Sequence, residues 1–173
     1  DMGITRVAMG SIDNTSDVSK DGYTSYRHLS TTVERGHSYP ITIERATALS
    51  EMTRKVWIDW NRDGDFDDAH ELVASELASK SLVFNDTVVV PPASRPGSTR
   101  MRVGVNLKGQ RNEACGPNRF GEYEEYTIHI LEKDLTPPVI TLTTPIDGVI
   151  EVFDTWTEPG YTAYDLVEGN VTS

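Results

Sequence analysis

Apolar and polar side chains alternate with a period of two along much of the chain. Met101, Val103, Val105 and Leu107 fall on one side of an extended run, and Arg100, Arg102 and Asn106 on the other. Successive side chains of a strand face opposite ways, so this pattern predicts a half-buried strand of an antiparallel sheet. Tyr39, Ile41 and Ile43 repeat it, as do Val56, Ile58 and Trp60, and then Tyr126, Ile128 and Ile130. Leu82-Val83-Phe84 and Val88-Val89-Val90 add strand signals, and Gly3 to Ile12 adds a weaker one. Ala69 to Ala78 fits a short helix or another strand. Turns are expected at Asp13-Asn14, Asp21-Gly22, Arg35-Gly36, Pro91-Pro92 and Arg95-Pro96-Gly97. Short strands punctuated in this way predict an all-β fold. The expected form is an antiparallel β-sandwich, jelly-roll-like or Ig-like, with a short additional β segment.

A boundary is expected at Asp134-Leu135-Thr136-Pro137-Pro138, where paired prolines make a stiff, extended connector. The predicted organisation is a sandwich over residues 1–133, a linker over 134–138 and a second module over 139–173. Strands are expected there at Val139-Ile140-Thr141-Leu142, from Gly148 to Phe153 and from Gly160 to Asp165. So short a segment cannot close a sandwich core alone and reads as part of a module.

Composition narrows the function. The chain has 173 residues and a formal net charge of −11. That charge argues against nucleic acid, because nothing would broadly neutralise phosphates, and against electrostatic binding to anionic membranes. No stretch approaches a membrane span. The chain lacks a signal peptide and does not begin with Met, and it reads as a piece of a larger exported protein. An acidic, β-rich chain suits a salty, calcium-containing, extracellular medium. Its one cysteine, Cys115, has no partner within the sequence.

Residues 59–67 carry the most specific chemistry: Asp-Trp-Asn-Arg-Asp-Gly-Asp-Phe-Asp. Oxygen-bearing side chains occupy alternate loop positions, with Gly64 at the sixth, the spacing of a calcium loop. A hard dication needs several oxygens at once, and a tight loop turns alternate carboxylates inward. The loop follows a predicted strand rather than a helix. His70 stands where an EF-hand has its bidentate glutamate, with Glu71 one residue later. The expected ligands for Ca2+ are the side chains of Asp59, Asn61, Asp63 and Asp67 and the carbonyl of Asp65, with Asp68 or Glu71 closing the shell. The alternative is a solvated, Asx-rich turn.

Arg95, Arg100, Arg102, Lys108, Arg111 and Arg119 cluster within an otherwise acidic chain. With Phe120 and Tyr123 they could form a surface for an anionic or hydroxylated glycan; the alternative is a solvated loop with local salt bridges. Arg100, Arg102, Arg111, Arg119, Phe120 and Tyr123 are the candidate ligand residues. Glu122 and Glu124 are in phase with the apolar face of their strand, so each needs a partner: the calcium loop, an arginine or backbone N–H groups. Carboxylates two apart on one strand lie side by side, not across a substrate, and no nucleophile or zinc pattern is present. An enzyme is not expected.

Four segments together resemble the GEVED domain of secreted bacterial proteins, over roughly residues 3–131. They are Asn14-Thr15-Ser16 with Asp21-Gly22-Tyr23, Val56-Trp57-Ile58-Asp59-Trp60-Asn61 with its acidic loop, Thr99-Arg100-Met101-Arg102-Val103, and Gly121-Glu122-Tyr123-Glu124-Glu125-Tyr126. The signature departs in two places, with Tyr123 for valine and Glu125 for aspartate. The resemblance implies a β-sandwich serving as an accessory module of exported multidomain enzymes or surface proteins. It also implies that Cys115 pairs with a cysteine outside this chain. Pro137 to Leu142, Glu158 to Ala163 and Asp165 to Thr172 resemble the start of a bacterial Ig-like module, used for spacing or adhesion. The expected function is therefore a secreted, calcium-stabilised, non-catalytic module that holds a polysaccharide or cell-surface ligand for an attached enzyme. The alternative is a purely structural spacer or adhesin segment.

Overall fold

β-Branched and aromatic residues at alternating positions fit a pleated, half-buried surface, and they build strands almost throughout. The computed structural model describes residues 2–116, 120–132, 134, 136–143, 160–166 and 169–172. The chain divides into two compact units, Asp1–Lys133 and Asp134–Ser173. The first contains β1 (Ile4–Met9), β2 (Ile12–Thr15), β3 (Tyr23–Glu34), β4 (Ser38–Arg45), β5 (Met52–Ile58), β6 (Leu72–Ser79), β7 (Val83–Val89), β8 (Gly97–Leu107) and β9 (Gly121–Leu131). One sheet has the order β2-β1-β4-β7 and the other β3-β9-β8-β5-β6. Val7, Ile43 and Val88 of the first and Val56, Val103 and Ile128 of the second meet in one core, each with no exposed surface. Burying one such side chain contributes roughly 1.5–3 kcal/mol. The result is an all-β sandwich.

The described pairings are antiparallel apart from β3 with β9, which run parallel from Tyr23 opposite Tyr123 to Glu34 opposite Leu131. The period-two pattern does not reveal β3, because its register slips between Ser25 and Ser30. Tyr26 faces inward before the slip, and Leu29, Thr31 and Val33 after it. The turn expected at Asp13-Asn14 lies instead at Gly10-Ser11. Asp13 sits on β2, where its carboxylate meets Arg6 at 2.7 Å rather than capping its own backbone. Gly10 has a φ of 57°, and a Cβ there would come within 2.2 Å of Thr31 Oγ1. The ambiguous stretch from Ala69 to Ala78 contains strand β6. It is an edge strand that leaves Leu72 and Leu77 exposed, which blurs its alternation.

The outer face of the five-stranded sheet differs most from expectation. Residues 108–116 fold back over it. Asn106 donates to Arg111 O at 2.6 Å, Asn112 to Thr53 O at 3.0 Å and Lys55 to Asn112 O at 2.9 Å. Asn106, expected to be on a solvated face, is buried. Under this cover, Trp57, Phe66, Ala114 and Tyr123 form a second, small apolar cluster.

In the second unit, β10 (Val139–Leu142), β11 (Tyr161–Asp165) and β12 (Gly169–Asn170) pair in that order, all antiparallel. The strand expected from Gly148 to Phe153 lies outside the described residues.

Among the described residues, two arginines of the first unit are buried. Arg54, with no exposed surface, pairs with Glu76 and donates to the carbonyls of Ile43, Ser81 and Leu82. Arg45 donates to the carbonyls of Ser50, Ser79 and Ser81. Its pKa is lowered, by burial first and by the nearby Arg54 charge second. Arg54 thereby satisfies three carbonyls at once. Arg54→Ala should lower unfolding free energy by about 3 kcal/mol in chemical denaturation, because Glu76 and those carbonyls lose their donor. Glu76→Gln, which keeps an acceptor for Arg54, should cost less than half as much.

Candidate metal centre

β5 delivers the chain to Asp59, where the loop begins. Asp59 is fixed to β8: its N–H donates to Arg100 O at 3.2 Å, and Thr99 Oγ1 donates to Asp59 O at 2.5 Å. Aspartate and asparagine side chains readily accept hydrogen bonds from N–H groups two residues on. The loop does this three times: Asp63 N to Asn61 Oδ1, Asp65 N to Asp63 Oδ1 and Asp67 N to Asp65 Oδ1, at 3.0–3.2 Å. Gly64, at a φ of 102°, turns its N–H back to Asp59 Oδ2 at 3.2 Å. Arg62 and His70 also take positive φ, 61° and 74°. Three side chains lock the loop to the fold. Trp60 Nε1 donates to His70 O at 3.1 Å, Phe66 packs in the small cluster, and buried Glu71 accepts from Trp60 N at 2.9 Å and Asp68 N at 3.4 Å.

This geometry gathers Asp63, Asp65 and Asp68, each with an oxygen within 4.8 Å of the others', into an acidic cluster that can hold a metal ion. Asn61 lies beside it, its Nδ2 2.9 Å from Asp63 Oδ2 and 2.6 Å from Asp68 Oδ2. Asp65 joins through its side chain, where the sequence suggested its carbonyl. Asp67 enters the loop's network through its backbone N–H. Glu71 is a loop-closing acceptor. Burial raises its pKa, against the lowering effect of the Asp68 and Trp60 N–H groups. Asp63 is lowered, chiefly by the Asp65 N–H. Asp59 is 3% exposed, and its Oδ1 is buried with no hydrogen-bond partner.

An open groove of about 270 Å³ adjoins the loop. Asp59, Asp63 and Gly64 form part of its wall, with Arg62 and Arg100, while Arg27, Ser98 and Thr127 come from β3, β8 and β9. The sequence does not single out Arg27 or Arg62. Arg62 stands in the acidic loop between its oxygen-bearing positions, and only the parallel placement of β3 brings Arg27 here.

Of the other candidate ligand residues, Arg102 and Tyr123 lie together, with Arg102 Cζ 5.8 Å from the Tyr123 ring centroid. Arg102 pairs with Glu125, donates to Ala114 O and stacks over Phe66 with its Cζ 5.1 Å from the ring centroid. Tyr123 is buried and donates to Glu113 O at 2.5 Å. Both are committed to the fold because residues 108–116 cover them. Arg111 is exposed and paired with Glu113, Phe120 is 44% exposed, and Arg119 lies outside the described residues. Cys115 is exposed.

The glutamates of β9 are buried, as their phase requires, and they take protein donors. Glu122 accepts the N–H groups of Ile4 and Ser19, both at 3.0 Å. Glu124 accepts the hydroxyls of Ser16 at 2.7 Å and Tyr126 at 2.6 Å. Burial pushes Glu125 up, but Arg102 outweighs it and leaves it below the ordinary carboxylate range; Tyr23 adds a bond at 3.0 Å.

Residues 53–129 match the family model of the GEVED domain. The GEVED match runs from within β5 to within β9 and so contains the acidic loop and all three glutamates. No curated protein matches the chain. Among solved structures, the chain is similar to a Niemann-Pick type C2 protein from Japanese carpenter ant, with 8% identity and a TM-score of 0.40. That likeness covers 75% of this chain and 92% of the ant protein. It is also similar to a family 123 glycoside hydrolase from Clostridium perfringens, with 10% identity and a TM-score of 0.33, covering 75% of this chain and 28% of the hydrolase. Likenesses this distant do not bear on function.

Within the GEVED segment, Glu124 is pushed up to about 6, by burial above all. Its folded pKa therefore lies above its unfolded value near 4.5. The stability it contributes is present in full below pH 4.5 and is lost as pH rises through 6. Glu122 is raised in the same direction and for the same reason. Glu124→Gln keeps an acceptor without the charge. It should raise unfolding free energy at pH 7 by about 1–2 kcal/mol, and the gain should vanish by pH 4.5. Denaturation curves of both proteins across that range check this.

Proposed function

We propose that this chain is a non-catalytic accessory module of a secreted bacterial protein, stabilised by calcium and holding a polysaccharide or cell-surface ligand for an attached enzyme. The observation that carries this reading is the acidic loop with the unpartnered, buried Oδ1 of Asp59 beside it. A buried carboxylate oxygen without a donor is costly, and a hard cation would satisfy it. Asp63, Asp65 and Asp68, whose oxygens already converge, are the residues that would hold the ion, and Asp59 and Asn61 are the loop residues that would join them. All are oxygen donors on one short loop, the set that Ca2+ prefers. The ion would supply structural cross-linking. The loop's own contacts to β8, Phe66 and Glu71 preorganise it for that role.

The GEVED match supports the accessory role, and the acidic net charge suits a calcium-containing extracellular medium. Glu122 and Glu124, the carboxylate pair that a hydrolase reading would need, have no exposed surface and serve protein donors. The spacer or adhesin reading is favoured by a separate observation: Arg102 and Tyr123 are tied into the fold rather than offered to a ligand. The Ig-like resemblance of the second unit belongs to the same reading. Retardation in native gels containing polysaccharide distinguishes the two, since a spacer migrates unchanged.

Calcium bound to the native state alone should add about 2.7 kcal/mol at one hundred times its dissociation constant. EDTA should therefore lower the melting temperature by roughly 5–10 °C, read by circular dichroism. Asp59→Asn keeps an acceptor for the Gly64 N–H but removes the charge. It should abolish most of the calcium response while leaving the EDTA-treated protein no less stable. An identical calcium response in the variant would count against this site.

A further inference from the structure

The groove beside the loop has a composition unusual for so acidic a chain. Three arginines line it from three separate elements: Arg27 on β3, Arg62 in the loop and Arg100 on β8. Among the described residues, neither Arg27 nor Arg62 forms an ion pair, although acidic residues outnumber basic ones 27 to 16 in the chain. Arg62 donates to Pro96 O at 2.6 Å, and Arg100 donates to Gly64 O. Arg100 is also held 3.9 Å from Asp59 Oδ2 and over the Phe66 ring, whereas five N–H donors leave the Arg62 guanidinium most of its capacity free. Ser98 and Thr127 supply hydroxyls on the same wall. Thr127 Oγ1 donates to Arg27 O at 2.7 Å and Ser98 Oγ lies 2.9 Å from His129 Nδ1, which leaves their oxygens able to accept as well.

We propose that this groove binds a carboxylate-bearing glycan, a chain of uronic acid residues, with Arg27 and Arg62 as its charge-reading residues. The inference rests on the glycan-binding reading above and names its ligand class. Planar guanidinium groups match carboxylates in bidentate geometry, and the hydroxyls suit sugar oxygens. Asp59 and Asp63 share the wall and oppose an anion while they are bare. Three arginines against these two carboxylates leave the lining with a formal excess of positive charge. A divalent cation on the loop would make it more positive, so uronate affinity should rise with calcium. The site is too small, in a chain of charge −11, to track a nucleic-acid backbone.

The test is calorimetric titration of the full chain at fixed calcium with a hyaluronan tetrasaccharide, maltotetraose and a tetraglutamate peptide. Hyaluronan should bind and maltotetraose should not. Arg27→Ala and Arg62→Ala should each weaken hyaluronan binding about tenfold, the loss of one charge-assisted contact. Lys20→Ala, which removes an exposed cation outside the groove, should leave binding within twofold. Both arginine variants should keep the parent melting temperature within a few degrees, since neither side chain is buried. Equal binding of maltotetraose, or arginine variants that bind as tightly as the parent, overturns the uronate inference and leaves glycan binding standing. Tighter binding of tetraglutamate assigns the groove to acidic peptides and overturns it too. Binding of no glycan removes both readings and favours the spacer.

Discussion

Desolvation of carboxylates governs this sandwich more than any single apolar contact. β9 carries Glu122, Glu124 and Glu125 out of water in four residues, and a buried anion without donors costs several kcal/mol. Each therefore fixes whatever supplies its donors. Glu122 holds the start of β1 and the segment before β3 through two N–H groups. Glu124 holds Ser16 just after β2, and Glu125 holds Arg102 of β8 and Tyr23 of β3. One strand thus joins both sheets and sets the unusual parallel neighbour, because β3 begins where Glu122 and Glu125 secure it.

The acidic loop solves the same problem differently. Its aspartates are mostly exposed and accept from their own backbone, which shapes the loop without external donors. Of its carboxylates, only those of Asp59 and Glu71 go below the surface, at the two ends. Glu71 is satisfied by N–H groups, whereas Asp59 keeps one oxygen bare. Loop shape thus comes from local turns, and loop position comes from β8 and the small aromatic cluster beneath.

What the sequence makes legible is local. The alternation at Met101–Leu107 and Tyr126–Ile130 marks strands because burial on a pleated sheet repeats every two residues. The aspartate spacing after β5 marks the acidic loop because the N–H groups of Asp63 to Asp67 return to side chains only two to five residues back. β3 escaped because a single register slip shifts every later side chain to the other face. Arg102, Tyr123 and Asn106 looked solvent-facing because residues 108–116, which cover them, have no periodic pattern. The phase of Glu122 and Glu124 marks their direction but not their donors, of which Ile4, Ser16 and Ser19 lie more than a hundred residues away. The groove was hidden for the same reason: Arg27 reaches it only through long-range parallel pairing.

The donors of Glu122 and Glu124 also separate two notions of a domain boundary. The GEVED match starts at residue 53, yet Ile4, Ser16 and Ser19 are the groups that neutralise the desolvation of its signature glutamates. A chain cut to the matched residues would retain the motif and lose the strands β1 and β4 that complete the core. The segment that can be recognised by similarity is therefore smaller than the segment that can fold. The first fifty residues, which fall outside the match, are the structural complement that makes these buried glutamates tolerable.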